Sequence, residues 1–271
     1  NHEMVNPVFA DFVAGAGEVY ARANYDLILS IVADGDEVKS YRQMAATGSV
    51  DGVIVHGPRT DDARIELLRS TDLPFVVHGR MPGTGLDFDF VDVDNIRAFR
   101  RATDFLLGLG HRRIALINGH EFMDFARRRH DGYRAALTAH AIPHAPDLCF
   151  SGEMSEQNGF RAARRMLAAQ TPPTAFLVSS LIMAIGVRRA IHEAGLVMGR
   201  DVSVVTHDDM LSYLGNGDDR PIFTATRSSV RAAGSRCAEI LLQRIADPGR
   251  APTHEIWESE LVIGTSTGPA P

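Results

Sequence analysis

Helical and strand-like patterns alternate along almost the entire chain of 271 residues. Apolar residues recur at helical spacing in "PVFADFVAGAGEVYARAN", and the following "YDLILSIV" is a short apolar run typical of a buried parallel strand. Further strands are predicted in "VDGVIVHG", "LPFVVHG", "RRIALING", "DLCFSG", "TAFLVSS" and "DVSVVTH", with a helical pattern between each pair. This alternation predicts an α/β protein with parallel sheets covered by helices, and the length suffices for two such sheets.

The first residues depart from this pattern. A doubly wound domain begins with a strand, whereas "NHEMVNPVF" runs from polar residues directly into a helix. We therefore expect the first strand to lie upstream of this sequence or to be absent from the mature chain.

Charge and composition exclude several classes of protein. The net charge of −6 argues against broad contact with nucleic acid by this chain alone, because such contact needs a basic face. The apolar runs are shorter than the roughly 20 residues of a membrane-spanning helix, and no signal peptide opens the sequence. Cys149 and Cys237 lie in a predicted strand and a predicted helix and suggest no disulfide framework. We expect a cytoplasmic protein with no membrane partner.

Enzyme motifs are weak in this sequence. "GAGEVYA" at 15–21 is half of a dinucleotide-binding fingerprint, but it lies inside a predicted helix and favours close helix packing. "THDDM" at 206–210 and the serines Ser179 and Ser180 offer the residue types of a hydrolase, yet neighbouring His and Asp on a strand point to opposite faces. We expect no catalytic residue, no cofactor and no metal.

Polar residues follow four of the predicted strands. They are His78, Gly79 and Arg80; Asn118 to His120; Ser179 and Ser180; and His207 to Asp209. Ligands of open parallel sheets bind at the carboxyl ends of strands, and these groups suit a polar, uncharged ligand such as a sugar. Each residue, taken singly, is equally well explained as a helix cap or as a solvated loop residue.

Three consecutive arginines, Arg127, Arg128 and Arg129, lie near the start of a predicted helix. Successive helical residues are about 100° apart, so the three side chains cannot share one direction. The run is therefore not a nucleic-acid patch. One of its arginines, close to a strand end, suits the hydroxyls of a sugar.

Several segments in this order resemble the effector-binding core of the LacI/GalR family of bacterial transcriptional repressors. They are "NPVF" at 6–9, "VDGVIV" at 50–55, "VDVDN" at 91–95, "GHRRIALING" at 110–119, "ARRRHDGYRAAL" at 126–137, "PTAFLVSSLIMAIGVRRAIHEAGL" at 173–196, "DVSVVTHDDM" at 201–210 and "PIFTATRSSV" at 221–230. The resemblance implies two doubly wound parallel-sheet lobes of the type I periplasmic-binding-protein fold. The expected lobes are 1–93 plus 227–257, and 94–226 plus 258–271.

The resemblance also implies a ligand site in a cleft between the lobes. Arg129 matches the family's ligand arginine, Asp208 the acid that pairs with sugar hydroxyls, Asn6 and Phe9 a first loop, and Val93 a wall position. We expect Arg129 and Asp208 to face each other across that cleft. The predicted ligand-binding residues are Asn6, Phe9, His78, Arg80, Val93, Phe125, Arg129, Ser179, Asp208 and Val230.

Two departures from the family pattern leave the ligand open. Ser179 and Ser180 stand where the family usually has Asn-Asp or Ser-Asp, and Gly79 precedes Arg80 where many members carry an acid. The function implied is a sugar-responsive repressor that forms a homodimer and binds operator DNA through an N-terminal helix-turn-helix, which we expect to be absent here. The alternative is a solute-binding protein of a sugar transporter.

Overall fold

The computed structural model describes residues 6–32, 35–81, 83 and 87–271. The chain divides into two compact units, which we call unit 1 (Asn1–Val93 with Ser229–Trp257) and unit 2 (Asp94–Ser228 with Glu258–Pro271). Over the described residues the elements are, in chain order, α1 (Pro7–Arg22), α2 (Glu37–Thr47), β1 (Val53–His56), α3 (Ala63–Arg69), β2 (Phe75–His78), β3 (Asp89–Val93), α4 (Asn95–Gly108), β4 (Ile114–Asn118), α5 (Asp124–Ala139), β5 (Cys149–Ser151), α6 (Glu156–Leu167), β6 (Ala175–Val178), α7 (Leu181–Glu193), β7 (Ser203–Asp208), β8 (Thr224–Arg227), α8 (Val230–Ala246), β9 (His254–Trp257) and β10 (Glu260–Val262).

Unit 1 is built on a parallel sheet with the strand order β1-β2-β3-β9. Helix α8 packs against β1, β2 and β3, and α1 packs against α8. Gly15 permits that helix contact, because a Cβ built on it would lie 2.0 Å from the carbonyl oxygen of Arg231. The interpretation of "GAGEVYA" as a close-packing segment is therefore confirmed.

The strand predicted over "YDLILSIV" is wrong. Residues 25–32 are all described and belong to neither a helix nor a strand. Ile28 and Ile31 are 68% and 71% exposed, and Leu27 and Leu29 are also exposed. A strand is stabilised by ladder hydrogen bonds and cross-strand side-chain pairs, and no described strand pairs with this segment. The polar stretch before Asn6 lies outside the described residues.

Unit 2 contains a larger sheet with the order β10-β8-β7-β6-β4-β5. Its strands are parallel except β10, which pairs antiparallel with β8. Helices α4 and α5 bury one apolar cluster against the sheet, and α6 and α7 bury a second cluster that includes Phe176 and Ile117. The predicted doubly wound α/β architecture is confirmed, with the antiparallel β10 as an addition that the sequence pattern did not predict.

The "GHRRI" segment has a structural role in unit 2. His111 is buried, and its ring nitrogens lie 2.9 Å from the hydroxyls of Thr174 and Ser203 and 3.1 Å from the carbonyl oxygen of Gly268. Burial lowers the pKa of His111, so the neutral ring connects the start of the sheet to the C-terminal segment.

No helix in the described part of the chain combines the length and the apolar character needed to cross a bilayer.

Candidate functional site

In unit 2, polar side chains collect where β4, β6 and β7 end. These three strands are neighbours in the sheet and run parallel, so their carboxyl ends meet at one edge. Asn118 ends β4, Ser179 follows β6, and Asp208 ends β7. Each of the three residues is at most 3% exposed. We call this group, together with Arg129, the strand-end cluster.

Arg129 is the centre of the strand-end cluster. It projects from the second turn of α5, is 6% exposed, and donates from Nε to Oδ1 of Asn95 at 2.8 Å. Its Nη1 donates to the carbonyl oxygen of Ser179 at 2.7 Å. The guanidinium also lies 5.1 Å from the ring centre of Phe99 and 5.0 Å from that of Phe125. These contacts hold a buried cation in one orientation at the strand ends.

The other two arginines of the run have a different role. Arg127 donates from Nη2 to Oδ1 of Asp124 at 2.7 Å and also pairs with Asp131, while Arg128 pairs with the second oxygen of Asp124. Asp124 is buried in the first turn of α5, where the helix dipole favours an acid. The helical spacing thus divides the run as predicted, and only Arg129 is directed into the unit's interior.

Asn118 and Ser179 are bonded to each other. The hydroxyl of Ser179 donates to Oδ1 of Asn118, and Nδ2 of Asn118 donates to the carbonyl oxygen of Ala126 at 2.8 Å. Ser180 accepts from the backbone N–H of Met183 as the N-cap of α7. The two serines therefore shape the start of α7 and the strand-end cluster.

The charge of Arg129 affects the pKa values of His207 and Asp209. Burial lowers the pKa of His207 well below its ordinary value, and the Arg129 charge lowers it further. Burial raises the pKa of Asp209 to about 6 against the opposing effect of the Arg129 charge. At neutral pH the neutral His207 ring is bonded to the hydroxyls of Thr226 at 2.9 Å and Ser228 at 3.2 Å. A guanidinium and a carboxylate at one strand edge can together donate to and accept from a hydroxylated ligand.

Asp208 belongs to unit 2 together with Arg129, in agreement with the expected lobe boundaries. Asp208 is the last residue of β7, and Arg129 lies on α5. That the two face each other across a cleft between the lobes stays a prediction. Asp208 accepts from the backbone N–H of Met210 at 2.8 Å and lies 3.6 Å from Nε of Arg227, which fixes the turn after β7.

Unit 1 has its own group of side chains at strand ends. His56 ends β1 and His78 ends β2, with their Nδ1 atoms 3.1 Å apart. Phe9 packs edge-on to His56 at 5.5 Å between ring centres, and Phe12 stacks on His78 at 4.8 Å. Burial lowers the pKa of His78 to about 4 and that of His56 well below its ordinary range. Both rings are therefore neutral at pH 7, and one of them donates to the other.

Arg80 and Gly79 follow His78. Arg80 donates from Nε to Oδ2 of the buried Asp92 at 2.6 Å. Gly79 has φ +120°, and a Cβ at this position would lie 2.5 Å from Cδ of Pro58. The acid that many family members carry before this arginine is therefore sterically excluded here.

The remaining predicted ligand-binding residues of unit 1 lie at the ends of helices and strands. The expectation that Asn6 and Phe9 form a loop is wrong: Oδ1 of Asn6 accepts from the N–H of Val8 at 3.0 Å and caps α1, with Phe9 in its first turn. This happens because Asn followed by Pro is a strong helix start. Val93 ends β3, and Val230 is the buried first residue of α8.

The sequence analysis did not identify three residues that take part in these contacts, namely His56, Asn95 and Phe99. His56 carried the same signal as His78, a histidine at the end of a predicted strand, and could have been found by it. Asn95, which contacts Arg129 from 34 positions away, and Phe99 carried no local signal.

Comparison with known proteins places this architecture in a family. Residues 103–267 match the family model described as a periplasmic binding protein-like domain. The HTH-type transcriptional regulator AglR of Rhizobium meliloti is 43% identical over 97% of this chain and 74% of its own length. A LacI-family regulatory protein from Chloroflexus aggregans superposes with a TM-score of 0.81 at 28% identity, covering 96% of this chain and 92% of that one.

The transcriptional regulator CelR, solved in complex with cellobiose, superposes with a TM-score of 0.83 at 26% identity over 97% of this chain and 80% of its own. The similarity to regulators extends over nearly the whole chain and favours a regulator over a transporter component. The chain belongs to the LacI family of HTH-type transcriptional regulators, as the periplasmic-binding-protein-like core of such a regulator.

Proposed function

We propose that this core binds a small sugar effector through the strand-end cluster and thereby controls the DNA binding of a homodimeric, cytoplasmic repressor. The observation that carries the proposal is the burial of the Arg129 guanidinium at the ends of parallel strands, held by Asn95 and Ser179. A buried cation fixed in this way offers charge-assisted hydrogen bonds without an ordering cost on binding.

The class of ligand is argued from the groups around Arg129. The strand-end cluster supplies the guanidinium of Arg129 and the carboxylate of Asp208, and the carboxylate of Asp209 and the aromatic ring of Phe125 lie beside Arg129. A guanidinium donor together with carboxylate acceptors beside an aromatic ring suits a neutral polyol better than an anion. The CelR complex makes cellobiose the first probe.

The direct test is a calorimetric titration of this chain with cellobiose and a panel of mono- and disaccharides. We expect one sugar to bind, and Arg129→Ala to weaken it roughly ten- to a hundredfold, because a hydrogen bond from a charged group is lost. Arg127→Ala is the matched control, since Arg127 pairs with Asp124 and Asp131 on the same helix. Equal losses in both variants, or unchanged binding in Arg129→Ala, would contradict the proposal.

A second pair of variants tests which carboxylate, that of Asp208 or that of Asp209, accepts hydrogen bonds from the sugar's hydroxyls. Asp208→Asn and Asp209→Asn remove one carboxylate charge each and nearly preserve side-chain volume. The family resemblance predicts a roughly tenfold or larger loss for Asp208→Asn. A loss confined to Asp209→Asn would instead assign the sugar's hydroxyls to the carboxylate that interacts with Arg129.

The DNA-binding part of the proposal makes a prediction about this chain alone. Its net charge is −6, and Arg127 and Arg128, the first two arginines of the run, are paired with acids. Few phosphates could be neutralised together, so we expect no sub-micromolar binding of duplex DNA at physiological salt. A mobility-shift assay with a salt series tests this.

A further inference from the structure

We propose that His130, His144 and Cys149 form a binding site for a single Zn²⁺ ion in unit 2. His130 lies on α5, His144 in the segment that follows this helix, and Cys149 begins β5. Each residue offers one ligand atom, and the three atoms lie within 4.8 Å of one another. No short sequence motif indicates the site, because His144 follows His130 by 14 positions and Cys149 follows His144 by 5.

The distances fit a tetrahedral ion. Nε2 of His130 lies 3.1 Å from Nε2 of His144, which in turn lies 3.4 Å from Sγ of Cys149. Zinc bonds of about 2.1 Å to nitrogen and 2.3 Å to sulfur place neighbouring ligand atoms about 3.3–3.6 Å apart in a tetrahedron. The observed separations therefore need adjustments of only a few tenths of an ångström along these two edges.

His130 is oriented as a metal ligand would be. Its Nδ1 lies 2.9 Å from Oε1 of Glu121, which follows β4. A carboxylate that accepts from Nδ1–H fixes the tautomer in which Nε2 carries a lone pair. That nitrogen lies 3.1 Å from Nε2 of His144, so a Zn²⁺ ion bound here would complete the carboxylate–histidine–metal order common in zinc sites.

The backbone around the other two ligands is constrained. Pro143 and Pro146 flank His144, and residues 146–148 form a 3₁₀ turn that leads into β5. Strand β5 pairs with β4 in a fixed register in which Cys149 is opposite Leu116. Two ligands thus stand on a helix and a sheet, and the third stands on a short segment with restricted φ angles.

The ligand set selects the metal. Two imidazoles and one thiolate are borderline-soft donors, which favour Zn²⁺ over Mg²⁺ or Ca²⁺. Three protein ligands leave a fourth position for water or another molecule. Binding requires the Cys149 thiol and the imidazole nitrogens to lose their protons, so protons are released as the metal is bound.

The test uses the purified chain, freed of metal by a chelator and kept reduced. Co²⁺ serves as a spectroscopic probe, because a tetrahedral site with a thiolate gives strong visible bands and a sulfur-to-metal charge-transfer band. We expect one Co²⁺ per chain, displaced by one Zn²⁺. His144→Ala should weaken Zn²⁺ binding at least about tenfold, and Cys149→Ser should abolish the charge-transfer band.

Two further variants distinguish Zn²⁺ binding by the proposed ligands from Zn²⁺ binding by other histidines and from the effect of misfolding. His192→Ala is the matched control, an exposed histidine in the last turn of α7, and should leave Zn²⁺ affinity unchanged. Glu121→Gln alters an exposed residue that does not itself ligate, and should weaken binding about tenfold through the orientation of His130.

The proposal is overturned if Zn²⁺ binds no tighter than about 100 μM, or if binding is equal in the parent chain and in His144→Ala and Cys149→Ser. Circular dichroism of each metal-free variant checks the fold. If both ligand variants unfold, unchanged affinity in Glu121→Gln is sufficient to refute the site.

Discussion

Unit 2 and unit 1 follow the same alternating pattern but use their apolar residues differently. In unit 2 every strand predicted from the sequence is found, and helices on both faces bury side chains such as Phe176 on one face and Leu177 on the other. In unit 1 the equally apolar stretch 25–32 is exposed and unpaired among the described residues. An apolar run is therefore a strand only where a neighbouring strand accepts its hydrogen bonds.

The two units also differ in what their strand ends hold. Unit 1 collects neutral aromatic rings, with His56 and His78 in contact with Phe9 and Phe12. The strand ends of unit 2 hold charged side chains, and the buried Arg129 guanidinium interacts electrostatically with Asp209. A charged group removed from water needs fixed partners, which explains why Arg129 is bonded to two residues that stand far from it in the sequence.

The largest expected effect is on the core of unit 2. Phe176→Ala removes a fully buried ring at the centre of the six-stranded sheet and should cost about 3–5 kcal/mol of stability, since the helices on that face cannot collapse into the cavity. Urea denaturation followed by circular dichroism gives the loss. Hydrogen exchange at β6 and β2 amides reports whether unit 1 is affected. A loss below about 1 kcal/mol would show that this sheet is not the more strongly packed one.

The sequence predicted the strands of unit 2 because their apolar runs are bounded by polar and turn-forming residues, and the same signal found His78, Ser179 and Asp208 at strand ends. The choice of Arg129 within the run came from family resemblance, and the run's spacing allowed it. Asn95 and Phe99 could not be found, because they contact Arg129 only through the packing of α4 on α5. The exposure of residues 25–32 could not be found either, since it depends on what lies beside them.

The next prediction concerns the buried charge of unit 1. Nε of Arg244 donates to Oδ2 of Asp89 at 2.7 Å, and Asp89 is 1% exposed. Arg244→Ala leaves that carboxylate with the N–H of Thr253 but without a cation, which should cost about 2–3 kcal/mol. The matched control is Arg69→Ala, whose partners Asp87 and Glu66 are exposed, with an expected cost below about 1 kcal/mol. Similar losses in urea denaturation for both variants would remove the distinction between buried and exposed pairs.

Asp209 at a strand end of unit 2 and His78 at a strand end of unit 1 should respond to pH with opposite signs. Burial raises the pKa of Asp209 in unit 2 from 3.8 to about 6, so the folded state holds more protons than the unfolded state between these values. Its contribution to stability is present below about pH 4 and is lost as pH rises through about 6. Burial lowers the pKa of His78 in unit 1 from 6.5 to about 4, so its contribution is present above about pH 6.5 and is lost as pH falls through about 4.

Two variants separate these contributions. Relative to the parent chain, Asp209→Asn should gain stability as pH rises from 4 to 6, and His78→Asn should lose stability over the same interval, each by about 2 kcal/mol. Denaturation curves at several pH values measure both differences. Slopes of the same sign for the two variants would refute the assigned environments.

The smallest expected effect tests the exposed stretch itself. Ile31→Ala removes an isoleucine side chain that is 71% exposed, and should change stability by no more than about 0.5 kcal/mol, because few of its atoms leave a packed environment. Ile65→Ala, in α3 of the same unit, deletes the same atoms from a side chain with no exposed surface and should cost about 2–5 kcal/mol. Urea denaturation of the two variants under identical conditions gives the comparison. A loss above about 1.5 kcal/mol for Ile31→Ala would mean that the stretch is buried as a strand after all, and that unit 1 uses its apolar residues as unit 2 does.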